Sequence, residues 1–332
     1  MAYVCLSPEK MKIETSTQKN ETIEVMRYIA ALSVVFVHIP TVKSGHFGVD
    51  IFFVISGFVM MLSTNKSSHQ FFLKRVIRIA PTYYFFTITT FIVALLFPRL
   101  LDNTTANYEH LIKSLLFIPF DKNGAGHRPI LYLGWTLNYE IYFYLLFSFG
   151  LALSREYRGV LTSIFLLLFF MLFNASSQLP QAAYGSTMVF EFVLGIILYT
   201  IVEKRDFKKT CILFFILFFG LIEKNIEYTN RLFVFGFPAA LASALMLFIF
   251  KDFKFPRILV LLGGASYSLY LTHPYVIQVF EKLTSWFNEG LIKSTIALLL
   301  SLIITNGVAL IVYSFLEEPT RKFLRMKLLT AG

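Results

Sequence analysis

Charge is scarce in this chain. Only 15% of its 332 residues are Asp, Glu, Lys or Arg, against roughly a quarter in ordinary soluble domains. Cysteine is nearly absent too. Cys5 and Cys211 lie far apart, which excludes both a disulfide framework and a thiolate metal site. No metal is expected. The first 20 residues are polar and hold no apolar core, so no cleavable signal peptide is expected. No internal repeat is visible, which removes support for an inverted-repeat transporter. What fills the chain instead is apolar: 56% of residues are hydrophobic, 38 of them Phe, and the mean hydropathy is +0.66. A soluble domain of this size has too little interior to hide so much apolar surface. Lipid is the natural solvent for it.

The sequence predicts an all-α integral membrane protein with about ten transmembrane helices in one bundle. A spanning helix needs about 20 mostly apolar residues, and such runs occur at 23–42, 47–64, 81–98, 133–153, 158–174, 186–202, 210–222, 232–250, 259–281 and 292–316. The apolar stretch 111–120 is too short to cross and reads as interfacial or re-entrant. The net charge of +10 does not point to nucleic acid, because the basic residues sit in short clusters between the apolar runs. With both termini in the cytoplasm, 21 of the 30 Lys and Arg fall on the inner side, as the positive-inside rule requires. The division expected is a cytoplasmic segment 1–22, a transmembrane domain 23–316 and a cytoplasmic tail 317–332.

Ionisable groups inside spans cost several kcal/mol unless a partner or watery cavity receives them, so they are the first candidates for function. The first span carries Arg27 and His38. Eleven residues at about 100° each return to the same helix face, about 16 Å further along the axis. Arg27 also suits snorkelling to the inner interface, and His38 also suits an interhelical hydrogen bond. The second span opens with Gly48-Val49-Asp50-Ile51-Phe52-Phe53-Val54-Ile55-Ser56-Gly57-Phe58. Asp50 is expected near the depth of His38, where a carboxylate would fix the tautomer of an imidazole; a helix cap is its plainer role. Ser56 and Gly57 favour close helix approach.

Arg75 and Arg78, three apart in a helical context, present two guanidiniums on one face, an arrangement suited to phosphate and equally to the topology signal. Gly134-Trp135-Thr136-Leu137-Asn138-Tyr139-Glu140 opens the fourth span and carries Glu140 more than a turn inside it. The ninth holds Ser266-Tyr267-Ser268-Leu269-Tyr270-Leu271-Thr272-His273-Pro274, with Pro274 expected to kink the helix and free backbone carbonyls. Past the last span stand Glu317, Glu318, Pro319 and Arg321, where Glu318 is placed to pair with an inner-face arginine or to face solvent.

In this order, these segments resemble the membrane-bound acyltransferase type 3 family, which includes O-antigen and exopolysaccharide O-acetyltransferases. The resemblance covers residues 21–321 and rests on Arg27, His38, the run 48–58, Arg75-x-x-Arg78, Trp135-x-Leu-x-x-Glu140, Ser266 to Pro274, and Glu318-Pro319. Thr136 departs from the serine common in the family. The resemblance implies ten helices, acetyl-CoA as donor at the cytoplasmic face, and an acceptor facing outward, namely an undecaprenyl-linked or polymerised surface glycan such as O-antigen, lipopolysaccharide or exopolysaccharide. It also implies a multi-pass protein of the bacterial inner membrane, similar to the stand-alone members. On it, Arg27, Arg75 and Arg78 would hold the donor. His38, oriented by Asp50 or Glu140, would act as general base or accept the acetyl group itself. Tyr139, Tyr270 and His273 would orient the acceptor. A polysaccharide flippase or polymerase shares the helices and the sugar but needs no CoA; an inert membrane anchor has little use for Arg27, His38 and Glu140.

Overall fold

A computed structural model describes residues 8–39, 45–65, 68–101, 104–122, 126–223, 230–284 and 291–329. Cys5, Lys43 and Lys224 fall outside them. Among the described residues the secondary structure is helical, with an isolated bridge between Asp121 and His127. The described parts of the ten apolar intervals are mainly helical, and residues 40–42 of the first fall outside the described residues. Four stretches, Phe71–Leu96, Gln181–Lys204, Leu232–Ile249 and Ile296–Leu329, are long and apolar enough to cross a membrane by length and composition. Large apolar side chains face outward along them, including Phe85, Ile92 and Leu96 on the first and Phe248 on the third. Lipid is the surrounding in which such faces carry no penalty.

The single bundle expected from the sequence divides into two compact units, one made of residues 1–55 and 238–313, the other of 56–237 and 314–332. The division follows from packing: helices from both ends of the chain share one core and the middle of the chain builds another.

The first unit holds α1 (Pro8–His38), the start of α2 (Gly48–Ser63), α10 (Phe237–Ile249) from Pro238 onward, α11 (Arg257–Gly264), α12 (Ser266–Thr284) and α13 (Leu291–Val312). Ala31, Val35 and Ile39 recur every four residues along α1, and this stripe packs with Leu269 and Ile277 of α12 and Ala309 of α13. Two glycines set how closely neighbours approach α1. A Cβ on Gly263 would collide with the Glu24 carbonyl, and one on Gly48 with the Ala30 carbonyl. Both α11 and the first turn of α2 therefore rest directly on α1 backbone, the close contact that small residues permit where hydrophobic force between helices is weak. The apolar run 259–281 is interrupted at Ala265, which separates α11 from α12. Pro274 lies within α12.

The second unit holds the rest of α2, α3 (Phe71–Leu96), α4 (Tyr108–Leu115), α5 (Gly134–Leu153), α6 (Arg158–Phe173), α7 (Gln181–Tyr184), α8 (Val189–Tyr199), α9 (Phe207–Glu223) and α14 (Glu318–Leu329). The short α4 occupies the stretch read as too short to cross. Phenylalanines fill the core: Phe143 stacks on Phe192 with centroids 4.2 Å apart, and Phe170 meets Phe190 at 4.8 Å. Gly57 lies against the Phe192 carbonyl, so α2 and α8 cross with their backbones nearly touching. Arg158, counted in the sequence as one more inner-loop charge, is 5% exposed. Its Nη2 donates to the Met61 carbonyl at 3.0 Å and its Nε to Thr64 Oγ1 at 2.7 Å. A cation there satisfies carbonyls that the end of α2 leaves open.

Candidate active site

In the first unit the functional side chains converge at the end of α1. The helix is continuous from Pro8 to His38, so Arg27 and His38 share one face as the spacing requires. Arg27 is buried and donates from Nη1 to Glu24 Oε1 at 2.7 Å, one turn back. His38 is partly exposed. Its Nδ1 lies 2.9 Å from the Val34 carbonyl and 3.2 Å from Nε2 of His273. The two rings stand 4.8 Å apart, tilted by 60°.

His273 is fully buried on α12, with its Nδ1 3.2 Å from the Leu269 carbonyl. Pro274 has no N–H to give, which leaves the Tyr270 carbonyl open, and the His273 ring reaches that group as well. These contacts fix the tautomers. A carbonyl can only accept, so both Nδ1 atoms carry hydrogen. His273 Nε2 is then an acceptor for His38 Nδ1–H, and the unprotonated nitrogen of His38 is Nε2.

Beside the carboxylates expected from the sequence, Asp50 and Glu140, the structure brings His273 to His38. Asp50 is wholly buried in the first turn of α2 in the same unit, where the positive end of the helix dipole favours a carboxylate. Tyr270 lies one turn before His273, its ring 6.1 Å from the imidazole and edge-on to Phe52 at 6.0 Å.

The remaining candidates belong to the second unit. Glu140 Oε1 accepts a hydrogen bond from Ser56 at 3.2 Å and a short one from the Tyr144 hydroxyl. Tyr144 is 1% exposed, and above its ring, 6.0 Å from the centroid, sits the Arg75 guanidinium. Arg75 also lies 5.5 Å over Phe71 and donates to Ser63 Oγ at 2.6 Å. Arg75, Tyr144, Glu140 and Ser56 thus form a line of polar contacts across α3, α5 and α2. Tyr144 and Ser63 were not singled out from the sequence, although the i,i+4 spacing of Glu140 and Tyr144 was there to be read. Arg78 is partly exposed in the second turn of α3, on the side where α14 packs. Glu318 pairs within α14, with Arg321 and with Lys322 at 3.3 Å. Tyr139 is buried against Trp135 and His127, each 6.2 Å away. Among the described residues no three His, Cys, Asp or Glu gather to hold a metal.

A partly exposed imidazole, locked in one tautomer and backed by a buried second imidazole, is equipment for acid–base or nucleophilic group transfer. With the apolar helices it suits a membrane-associated transferase. The comparison with known proteins names the class. The acyltransferase domain family, acyltransferase type 3, matches residues 20–314, and the chain belongs to that family. Exopolysaccharide production protein ExoZ of Rhizobium meliloti is 29% identical over 315 residues, covering 87% of this chain and 96% of that protein. O-acetyltransferase OatA of Staphylococcus aureus is 23% identical over 354 residues, 90% of this chain and 57% of OatA. The chain therefore spans a little over half the length of OatA. No solved structure matches.

Proposed function

We propose that the protein is an O-acetyltransferase that moves acetyl from cytoplasmic acetyl-CoA to a hydroxyl of a surface glycan. The observation that carries this reading is the His38–His273 pair in a chain of the acyltransferase type 3 family. The acceptor class is drawn from the exopolysaccharide and O-acetyltransferase relatives, and an undecaprenyl-linked or polymerised exopolysaccharide or O-antigen fits it. The ten-span arrangement in a bacterial inner membrane, with both termini inside, belongs to the same proposal and is supported by the distribution of Lys and Arg.

In the proposed reaction Arg75 and Arg78 hold phosphates of the donor, and Arg27 lies along the path to the thioester. His38 Nε2 removes the proton of the acceptor hydroxyl as the oxygen attacks the acetyl carbonyl. The C–S bond breaks and CoA leaves as its thiolate, which takes up the proton from His38. While His38 carries the extra proton, its Nδ1–H points at two acceptors, the Val34 carbonyl and His273 Nε2, which stabilise the imidazolium as the orienting carboxylate of a hydrolase triad does. In the alternative, the same Nε2 lone pair attacks the thioester carbonyl, the C–S bond breaks to release CoA thiolate, and the acceptor hydroxyl then takes the acetyl from the histidine while its proton passes to the thiolate.

The test uses membranes carrying the protein, acetyl-labelled acetyl-CoA and the host's glycan precursor. Label in the glycan that alkali releases as acetate, absent with His38→Ala, is the expected result. Near-normal transfer by a folded His38→Ala protein removes the catalytic role, and failure to bind acetyl-CoA moves the reading to a flippase or polymerase.

A further inference from the structure

One face of α5, within the second unit, carries more hydrogen-bonding capacity than the protein uses. Asn138 and Tyr142 stand one turn apart on it and are 2% and 9% exposed. Among the described residues neither the Asn138 Oδ1 nor the Tyr142 hydroxyl has a hydrogen-bond partner. The other end of the Asn138 amide is engaged, with Nδ2 donating to His127 Nε2 at 2.8 Å. Turning the amide over exchanges its two ends and still leaves one open. With Nε2 accepting, the His127 ring hydrogen stands on Nδ1, and this residue is partly exposed. Tyr139, the next residue on the helix, is placed differently: its hydroxyl meets Ser186.

Aromatic rings flank these groups. Tyr184 lies over Tyr142 with centroids 4.6 Å apart, tilted by 33°. Phe169 meets Tyr142 edge-on at 5.9 Å, and Trp135 meets Tyr139 edge-on at 6.2 Å. Trp135 and Tyr184 are partly exposed, so the buried polar atoms lie beside rings that a solute can reach.

A buried polar group without a partner costs free energy, the more so where a chain crosses lipid. That cost is recovered when a ligand supplies the missing partner. A neutral ring bearing hydroxyls does this: each hydroxyl both donates and accepts, and the C–H face of the ring rests on aromatic side chains while their polar atoms stay free to bond. We propose that Asn138, Tyr142, His127 and Tyr184 form a subsite for a neutral sugar ring of the acceptor. The subsite rests on the glycan-acceptor reading and adds these four side chains to Tyr139, which was named from the sequence.

The experiment compares wild type, Tyr142→Phe and Tyr184→Ala as purified full-length protein in phosphatidylcholine nanodiscs, because glucoside and maltoside detergents carry sugar heads of their own. The probe is the host's surface polysaccharide, stripped of acetyl groups by alkali. It is expected to raise the melting temperature of wild type, and to do so less in both variants. In initial-rate assays the KM for the polysaccharide is expected to rise about tenfold in Tyr142→Phe, with the KM for acetyl-CoA unchanged. Without polysaccharide, Tyr142→Phe should melt level with wild type or above it, because the hydroxyl removed has no partner in the protein. A lower value would assign that hydroxyl to the fold and overturn its place in the subsite.

Variants that match wild type in both the polysaccharide-induced shift and the KM overturn the subsite, as does a loss confined to the KM for acetyl-CoA. A wild type that transfers no acetyl but keeps a Tyr142-dependent shift ends the transferase reading and leaves the sugar subsite standing. A wild type that transfers acetyl with no dependence on Tyr142 or Tyr184 keeps the transferase reading and removes the subsite.

Discussion

His38 Nδ1 lies 3.2 Å from His273 Nε2, joining residues 235 positions apart in sequence. The contact has a direction. His273 is held by backbone carbonyls through its Nδ1, so it meets His38 with a lone pair, and the unprotonated nitrogen of His38 is Nε2. The asymmetry in exposure agrees, with His273 fully buried and His38 partly open. Of the two rings, that of His38 is the one with exposure through which a substrate can reach it. His273 is therefore a positioning residue, acting through His38.

Substituting His273 is expected to lower kcat by about 10- to 100-fold with little change in the KM for acetyl-CoA, the pattern of an interaction made in the transition state. His273→Gln can return an acceptor oxygen to His38 Nδ1 and should recover part of the loss seen in His273→Ala. Steady-state kinetics on membranes decides it. Equal kcat for the Ala and Gln variants, or a change confined to KM, would show that His273 serves only packing or the acceptor.

Glu140 and Tyr144 bear on stability of the second unit. Their hydrogen bond is partly buried, and removing the Tyr144 hydroxyl leaves Glu140 Oε1 with Ser56 as its remaining donor of the two. Tyr144→Phe is expected to cost about 1–3 kcal/mol, seen as a lower melting temperature in detergent. Glu140→Gln should cost a comparable amount, and the double variant less than their sum, because the two residues contact. Additive effects would show that the pair is not coupled.

Local periodicity made most of the architecture legible. The described parts of the apolar intervals are mainly helical, and the shared face of Arg27 and His38 follows from counting residues along one uninterrupted helix. Gly57 was readable as a crossing point because a missing side chain has one consequence wherever helices touch. What depends on distant chain segments was not readable. Nothing local to His38 announces its contact with His273, 235 residues away. Arg158 looked like a loop charge because the carbonyl it caps, Met61, is 97 residues away. The two-unit division reflects which helices meet, and hydropathy says nothing of that. The break at Ala265 is a middle case: the Gly263-Gly264 pair signalled it, but Pro274 drew the expectation of a kink further along.

Arg75 has two local duties, its hydrogen bond to Ser63 and its place over Phe71 and Tyr144. If it also holds donor phosphate, Arg75→Ala raises the apparent KM for acetyl-CoA by about tenfold. Arg75→Lys keeps the charge but loses the planar fork and recovers only part of that affinity. Initial rates across acetyl-CoA concentration separate the outcomes. An unchanged KM with a normal rate would confine Arg75 to packing and topology.

The loop before α5 offers a pH prediction. Burial pushes the His127 imidazole down to about 4, and Asn138 donates its amide to the ring at 2.8 Å. His110, stacked on Phe120 at 4.7 Å, is lowered chiefly by burial as well. A histidine whose pKa is lower folded than unfolded binds fewer protons in the native state across the interval between the two values. Stability therefore rises with pH there. The contribution of His127 is complete above an unfolded pKa of about 6.5 and is lost as pH falls towards about 4. The full shift corresponds to roughly 3 kcal/mol, and the partial exposure of the ring reduces it to about 1–2 kcal/mol. Melting temperatures in detergent should drop between pH 7 and pH 4.5, and His127→Gln, which cannot gain the proton, should flatten part of that slope. A His127→Gln protein as acid-sensitive as wild type would place the acid-labile groups elsewhere.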